Sequence, residues 1–236
     1  MAKAAIAAIA ALFFYSCNFV SGGLDGSGNI TKQNRPIKEV FESISANEGL
    51  EVILEQGPGR TIMVEADDNF HAHIKTEVKG GTLEISTDED LGSGGTKRIY
   101  VTLPHLEKVE ATSSASVTSK GTLRSETIDL TSSSGGNIDV TVEAHDLALG
   151  ADSGGQMKVN GKADNLQTEA SSGSMIDAKG LTAESVIAES SSGGTAYVNP
   201  VESLTADASS GGHIKYTTTP SKLDKKTSSG GNVEQD

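Results

Sequence analysis

The chain has 236 residues, 32 of them acidic and 19 basic, for a formal net charge of −13 with the histidines neutral. A field of that sign repels DNA, RNA and anionic headgroups, so none of these is expected as a partner. Tryptophan is absent and aromatics make up 4% of the chain. After Ala111 only Tyr197 and Tyr216 remain, which argues against a compact globular core in that half and for layers of small and β-branched side chains.

Met1-Ala2-Lys3 is a short positive n-region, and Ala4 to Tyr15 is an unbroken apolar stretch. That stretch is shorter than the ~20 residues a bilayer span needs and suits the h-region of an export signal over 1–16. It ends at Ser16-Cys17, and Cys17 is the single cysteine, so an internal disulfide does not explain it. Phe14-Tyr15-Ser16-Cys17 resembles a bacterial lipobox with bulkier residues than usual before the small Ser16. The expectation is lipid attachment at Cys17 and a membrane anchor, placing an exported lipoprotein in the outer membrane, on its periplasmic face or at the cell surface. An ordinary signal peptide with an incidental cysteine is the alternative. Residues 17–36, rich in Gly, Ser and Asn, read as a flexible tether. Asn29-Ile30-Thr31 fits a glycosylation sequon, a reading that a bacterial lipobox disfavours.

Residues 37–236 read as one head domain. Between Ile37 and Glu110 strand-like runs alternate with turns. Leu50, Val52 and Leu54 precede Gly57-Pro58-Gly59, and Ile62 and Val64 lead to Asp67-Asp68-Asn69. Ile74–Val78 is split from Leu83 and Ile85 by Lys79-Gly80-Gly81, and Ile99, Val101 and Leu103 end at Pro104. No segment carries a helical stripe.

A repeat follows. Ser133-Ser134-Gly135-Gly136-Asn137-Ile138 is matched by Asp152–Met157, Ser171–Ile176, Ser191–Ala196, Ser209–Ile214 and Ser228–Val233, and a degenerate copy ends at Val117. The sixth position falls at 117, 138, 157, 176, 196, 214 and 233, in steps of 21, 19, 19, 20, 18 and 19. After each motif comes an alternating pair, such as Ile138/Val140 or Met157/Val159. Some eight or nine residues later comes another, such as Leu147/Leu149 or Leu204/Ala206. Alternation with period two marks strands with one buried face. Two short strands and two turns per repeat predict an all-β, parallel β-helix-like solenoid with rungs of about 19 residues. The Ser-Ser-Gly-Gly turn is one corner, and Gly161, Gly180, Pro200 and Pro220 mark the other. No helix follows any copy, so the motif is not a phosphate-binding loop. Lys222, Asp224, Lys225 and Lys226 around Leu223 predict a charged cap over 221–236.

The order of motifs resembles the head GIN domain family of putative auto-transporter adhesins, found in Bacteroides-type lipoproteins. The resemblance rests on Val40-Phe41-Glu42-Ser43-Ile44, Gly49–Gly57, Ile62–Asn69, Gly81–Ile85, Val101-Thr102-Leu103-Pro104 and the Ser/Gly repeats. It implies a β-helix-like fold and an adhesin role, and no functional residues.

Candidate sites are sparse. His71 and His73 would share a face of a strand, with Asp67 and Asp68 as further metal ligands; exposed strand histidines beside a turn are the blander account. Asp88-Glu89-Asp90 lacks the spaced oxygens of a calcium loop. Asp139 and Asp177 hold the rung position that Lys158 and Lys215 hold elsewhere, which suggests paired charges on a ladder rather than a catalytic acid pair. No catalytic residue, metal or cofactor is assigned. Three readings follow: a non-catalytic adhesin-like module binding a glycan or protein, a self-assembling structural component, and a β-helix carbohydrate enzyme. The first is preferred. Sugar stacking would fall to Tyr197 and Tyr216.

Overall fold

The structure, a computed structural model, describes residues 22–236, and its sixteen strands come with no helix among the described residues. The N-terminal strands are β1 (Ile30–Asn34), β2 (Ser43–Ala46), β3 (Glu51–Gln56), β4 (Thr61–Asp67), β5 (Ile74–Lys79), β6 (Thr82–Thr87), β7 (Lys97–Leu103) and β8 (Lys108–Ala111). The repeats supply the long strands β9 (Ser116–Ser132), β10 (Asn137–Ala151), β11 (Gln156–Ala170), β12 (Met175–Ser190) and β13 (Thr195–Ala208). The short β14 (His213–Tyr216), β15 (Lys222–Thr227) and β16 (Asn232–Gln235) end the chain.

Period-two alternation dictates the rungs. In β10, Ile138, Val140 and Val142, then Leu147, Leu149 and Ala151, are buried. Neighbouring rungs pair in parallel, with Ile138 beside Val117 and Met157, and Leu147 beside Ile128 and Leu166. The expected solenoid is therefore present, with the expected step between rungs. Its second corner differs from expectation. From β9 to β13 each rung is one long strand that bends there, and Gly161, Gly180 and Pro200 sit within strands at register shifts, whereas Pro220 lies in the break between β14 and β15, where a corner is expected.

The Ser-Ser-Gly-Gly corner is a tight turn closed by a bond such as Gly136 N–H to the Ser133 carbonyl, 2.8 Å. Both central residues have positive φ, 49° at Ser134 and 74° at Gly135, a backbone that glycine adopts freely and serine does not. The second glycine is needed for another reason. A Cβ on Gly136, Gly155, Gly194, Gly212 or Gly231 would run into a carbonyl oxygen of the preceding rung. At the one copy with serine there, Ser174 Oγ donates to the Ala151 carbonyl at 2.8 Å and so converts the close approach into a hydrogen bond.

Corners of this kind begin earlier than the repeat suggests. Asn47-Glu48-Gly49-Leu50 joins β2 to β3, with φ of 59° at Glu48 and 66° at Gly49, while Thr112-Ser113-Ser114-Ala115, in the degenerate copy that ends at Val117, joins β8 to β9 as expected. Val52 then pairs with Val117. Between these two rungs the chain makes a detour. β4 and β5 run opposite to the other rungs, pairing antiparallel with β7 and β6, and β6 and β7 return to lie parallel on β2 and β3. β1 adds antiparallel to β4. This end holds the large buried aromatics Phe41 and Phe70, whereas the later rungs are filled by residues such as Ala178, Ala183, Ala188 and Ala206.

The tether expected over 17–36 is folded wherever it is described. β1 lies within it, Leu24 bridges Leu91, and Asn69 Nδ2 donates to the Asp25 carbonyl at 2.8 Å. The signal region and Cys17 lie outside the described residues. At the other end, β15 pairs only with β13 and is exposed throughout. Lys225 takes the inward register position beside Ala206, its Nζ 4.6 Å from the Tyr216 ring centre and 2.8 Å from the hydroxyl. An inward charge on an edge strand opposes further strand addition.

Candidate functional site

On one outer face a column of side chains runs up the solenoid through Thr118, Asp139, Lys158, Asp177, Tyr197, Lys215 and Glu234, each paired with the next. Charges alternate along its lower part, as the ladder reading expects. Lys215 Nζ is 3.2 Å from Glu234, whose carboxylate holds the ammonium pKa above its ordinary value. Tyr197 is no open sugar platform, because Lys179 Nζ lies 4.5 Å from its ring centre and Lys215 Nζ 6.0 Å. Tyr216 is buried beneath Lys225. Neither tyrosine offers the free ring that sugar stacking requires.

The other outer face is acidic. Glu169, Glu189 and Asp207 stack in adjacent rungs, and Lys226 completes the column with an ion pair of 2.8 Å to Asp207. A shallow trough of about 430 Å³ lies where Ala148 and Gly150 leave space beside Asp129 and Glu169.

The acids singled out as metal ligands hold the N-terminal segment instead. Asp67 is buried and accepts from the backbone N–H of Gly28 at 2.5 Å and of Thr96 at 2.7 Å. Asp68 accepts from the Ser27 hydroxyl and from Asn29 Nδ2, and these hydrogen bonds push its pKa below the usual value. The histidines do not sit on a strand and do not share a face. Residues 68–73 form a turn, His71 is buried with Nε2 3.0 Å from the Thr31 hydroxyl, and His73 turns outward to Asp88 at 3.0 Å. Asp88 also meets Lys75 at 2.7 Å, and these two partners, Lys75 first, lower its pKa. Among the described residues no three His, Cys, Asp or Glu side chains are grouped to hold a metal.

Beside this turn, between residues 35–39 and β5, lies a cleft of about 560 Å³. Its walls include Ile62, Ile74 and Val78, the last two on a strand whose other edge has no strand partner. Four cations reach it, Arg35, Lys38, Lys75 and Lys79, against the carboxylates of Glu39 and Glu77. Arg35 Nη2 donates to the His71 carbonyl at 2.7 Å, and burial lowers the guanidinium pKa from its ordinary value. The sequence gives no local sign of this recess, because Arg35 and His71 belong to separate elements.

The fold has solved counterparts. An adhesin structure from Bacteroides fragilis NCTC 9343, itself described as putative, superposes with a TM-score of 0.81 at 22% identity, covering 91% of this chain and 100% of that one. A structure described as a putative lipid binding protein from Parabacteroides distasonis ATCC 8503 gives 0.72 at 19% identity, with 90% and 99% covered. A further such adhesin, from Parabacteroides merdae ATCC 43184, gives 0.71 at 18% identity, with 90% and 98% covered. No curated protein matches the chain. The family model for the putative auto-transporter adhesin head GIN domain matches residues 40–220, and the chain belongs to that family.

Proposed function

We propose that the chain is an exported, lipid-anchored binding module of the adhesin type, which takes a glycan or protein ligand and performs no catalysis. The observation that carries this reading is the N-terminal cleft, a recess where cations outnumber acids on a chain of net charge −13. Recesses with apolar walls and a few polar groups are the usual form of a ligand site. The non-catalytic part of the reading draws support from the ladders, where acids such as Asp177 and Asp207 lie within stacked columns.

An anchor at Cys17 would be separated from Gly22 by four intervening residues of sequence, or at most about 18 Å of extended chain. The end carrying β1 would then be the end nearest the outer membrane. A glycan array probed with residues 22–236, which contain every described strand, tests the binding reading; uniform absence of signal on glycans and on envelope proteins would overturn it. Labelled palmitate should enter the wild-type chain and not Cys17→Ala, and equal labelling of both would remove the anchor.

A further inference from the structure

We infer that the cleft between residues 35–39 and β5 binds an acidic sugar, with Arg35 and Lys38 facing its carboxylate and His71 Nδ1 hydrogen-bonded to a ring hydroxyl. This deepens the binding reading given above and rests on it. Three buried side-chain polar atoms have no hydrogen-bond partner among the described residues: Arg35 Nε, His71 Nδ1 and Thr168 Oγ1. Two of the three belong to residues lining this one cleft. A buried polar atom left without a partner costs free energy, so two such atoms at one recess point to a partner that enters from outside.

Their chemistry specifies that partner. His71 is 5% exposed, and its Nε2 lies 3.2 Å from the Thr31 carbonyl oxygen. The Thr31 hydroxyl also lies 3.0 Å from Nε2 and can donate or accept there, so Nδ1 is satisfied in either tautomer by a hydroxyl, which is donor and acceptor at once. Arg35 Nε is a free donor that needs an acceptor. The remaining cations divide clearly. Lys75 is matched by Asp88 at 2.7 Å, and Lys79 by Glu84 at 2.7 Å and Glu77 at 3.2 Å. Arg35 and Lys38 form no ion pair among the described residues, and Arg35 is the one pressed by desolvation.

A ligand that satisfies the site therefore carries one anionic group and a hydroxyl near it. A carboxylate suits better than a phosphate dianion, because Glu39 and Glu77 stand at the same recess and repel the higher charge more. The apolar walls at Ile62, Ile74 and Val78 match the C–H face of a pyranose, and about 560 Å³ accommodates a sugar ring and part of its neighbour.

The test is calorimetric titration of residues 22–236 with glucuronate, glucose, acetate and inorganic phosphate. Glucuronate should bind at least about tenfold more tightly than any of the other three, since it alone offers both groups. Arg35→Gln should weaken it by roughly tenfold. His71→Gln retains an amide near the Nε2 position for Thr31 and removes Nδ1; it should weaken binding by about fivefold while the melting temperature holds. Glucose or acetate equalling glucuronate, phosphate exceeding it, or indifference to both substitutions overturns the inference. If the array finds a ligand whose binding ignores both substitutions, the module reading stands and this site does not.

Discussion

From β9 onward a polar group generally finds its partner one rung away. Corner amides bond to the next corner, as Gly135 N–H does to the Ser153 carbonyl at 3.3 Å and Gly173 N–H to the Ser192 carbonyl at 3.2 Å. Side chains do the same: Asn165 Nδ2 donates to Asp146, and Ser203 Oγ to Ser185 Oγ. At the N-terminal end the rungs reverse direction, partners come from about 40 residues away, and Arg35 and His71 keep atoms free. The Thr168 hydroxyl, inward between Leu149 and Ala188, is the exception in the repeats. Repetition satisfies side chains by supplying the same partner at every step. Recognition is therefore to be sought where repetition stops.

The first way to break this comparison is to remove the C-terminal end. Deleting 221–236 strips β15 and β16 from β13 and β14 and exposes Leu204, Ala206, Ile214 and Tyr216. Concentration-dependent association is the expected outcome, read by light scattering. A truncated chain as monomeric as residues 22–236 would show that Lys225 and its neighbours are no cap.

Within a corner, the two glycines should fail differently. Gly194→Val puts a branched side chain against the Ala170 carbonyl and should cost about 3 kcal/mol. Gly194→Ser should cost much less, because Ser174 already occupies that position in another rung. Gly193→Val, at φ 76°, should cost about 2 kcal/mol. Asn199→Val, which removes only the hydrogen bonds from Thr217 and Thr218, should cost under about 1 kcal/mol. Equal melting temperatures for Gly193→Val and Asn199→Val would refute the register.

Asp67→Ala sharpens the comparison from the other side. It leaves the Gly28 and Thr96 amides without their carboxylate, at about 2 kcal/mol. The loss should be local: protease should cut within 22–35 while the rungs from β9 onward keep their melting temperature. Unchanged protease resistance would mean that other contacts hold the segment.

Much of the regular half was legible because alternation and the 19-residue step are properties of neighbouring residues, and Ile138, Met157 and Ile176 stack as their spacing implies. The corner at Asn47–Leu50 was hidden because Glu48-Gly49 does the work of Ser-Gly, and the detour through β4–β7 breaks the step. The segment after Gly22 looked like a tether because its composition is that of one. Its order comes from Asp67, Asp68 and Asn69, which no local pattern links to Ser27 or Asn29. His71 read as exposed for the same reason, since its burial depends on β1 lying across it. The cleft exists only once Arg35 and β5 meet, and neither carries a motif.

The claim that recognition belongs to the irregular end is tested most directly by two substitutions read in one binding assay. Residues 22–236 carrying Arg35→Gln or Tyr197→Ser would be titrated with a glucuronate-containing oligosaccharide. The account predicts a loss of roughly tenfold for Arg35→Gln and a change within about twofold for Tyr197→Ser, whose ring is already covered by Lys179. Loss with Tyr197→Ser and retention with Arg35→Gln would contradict it and move recognition to the ladder.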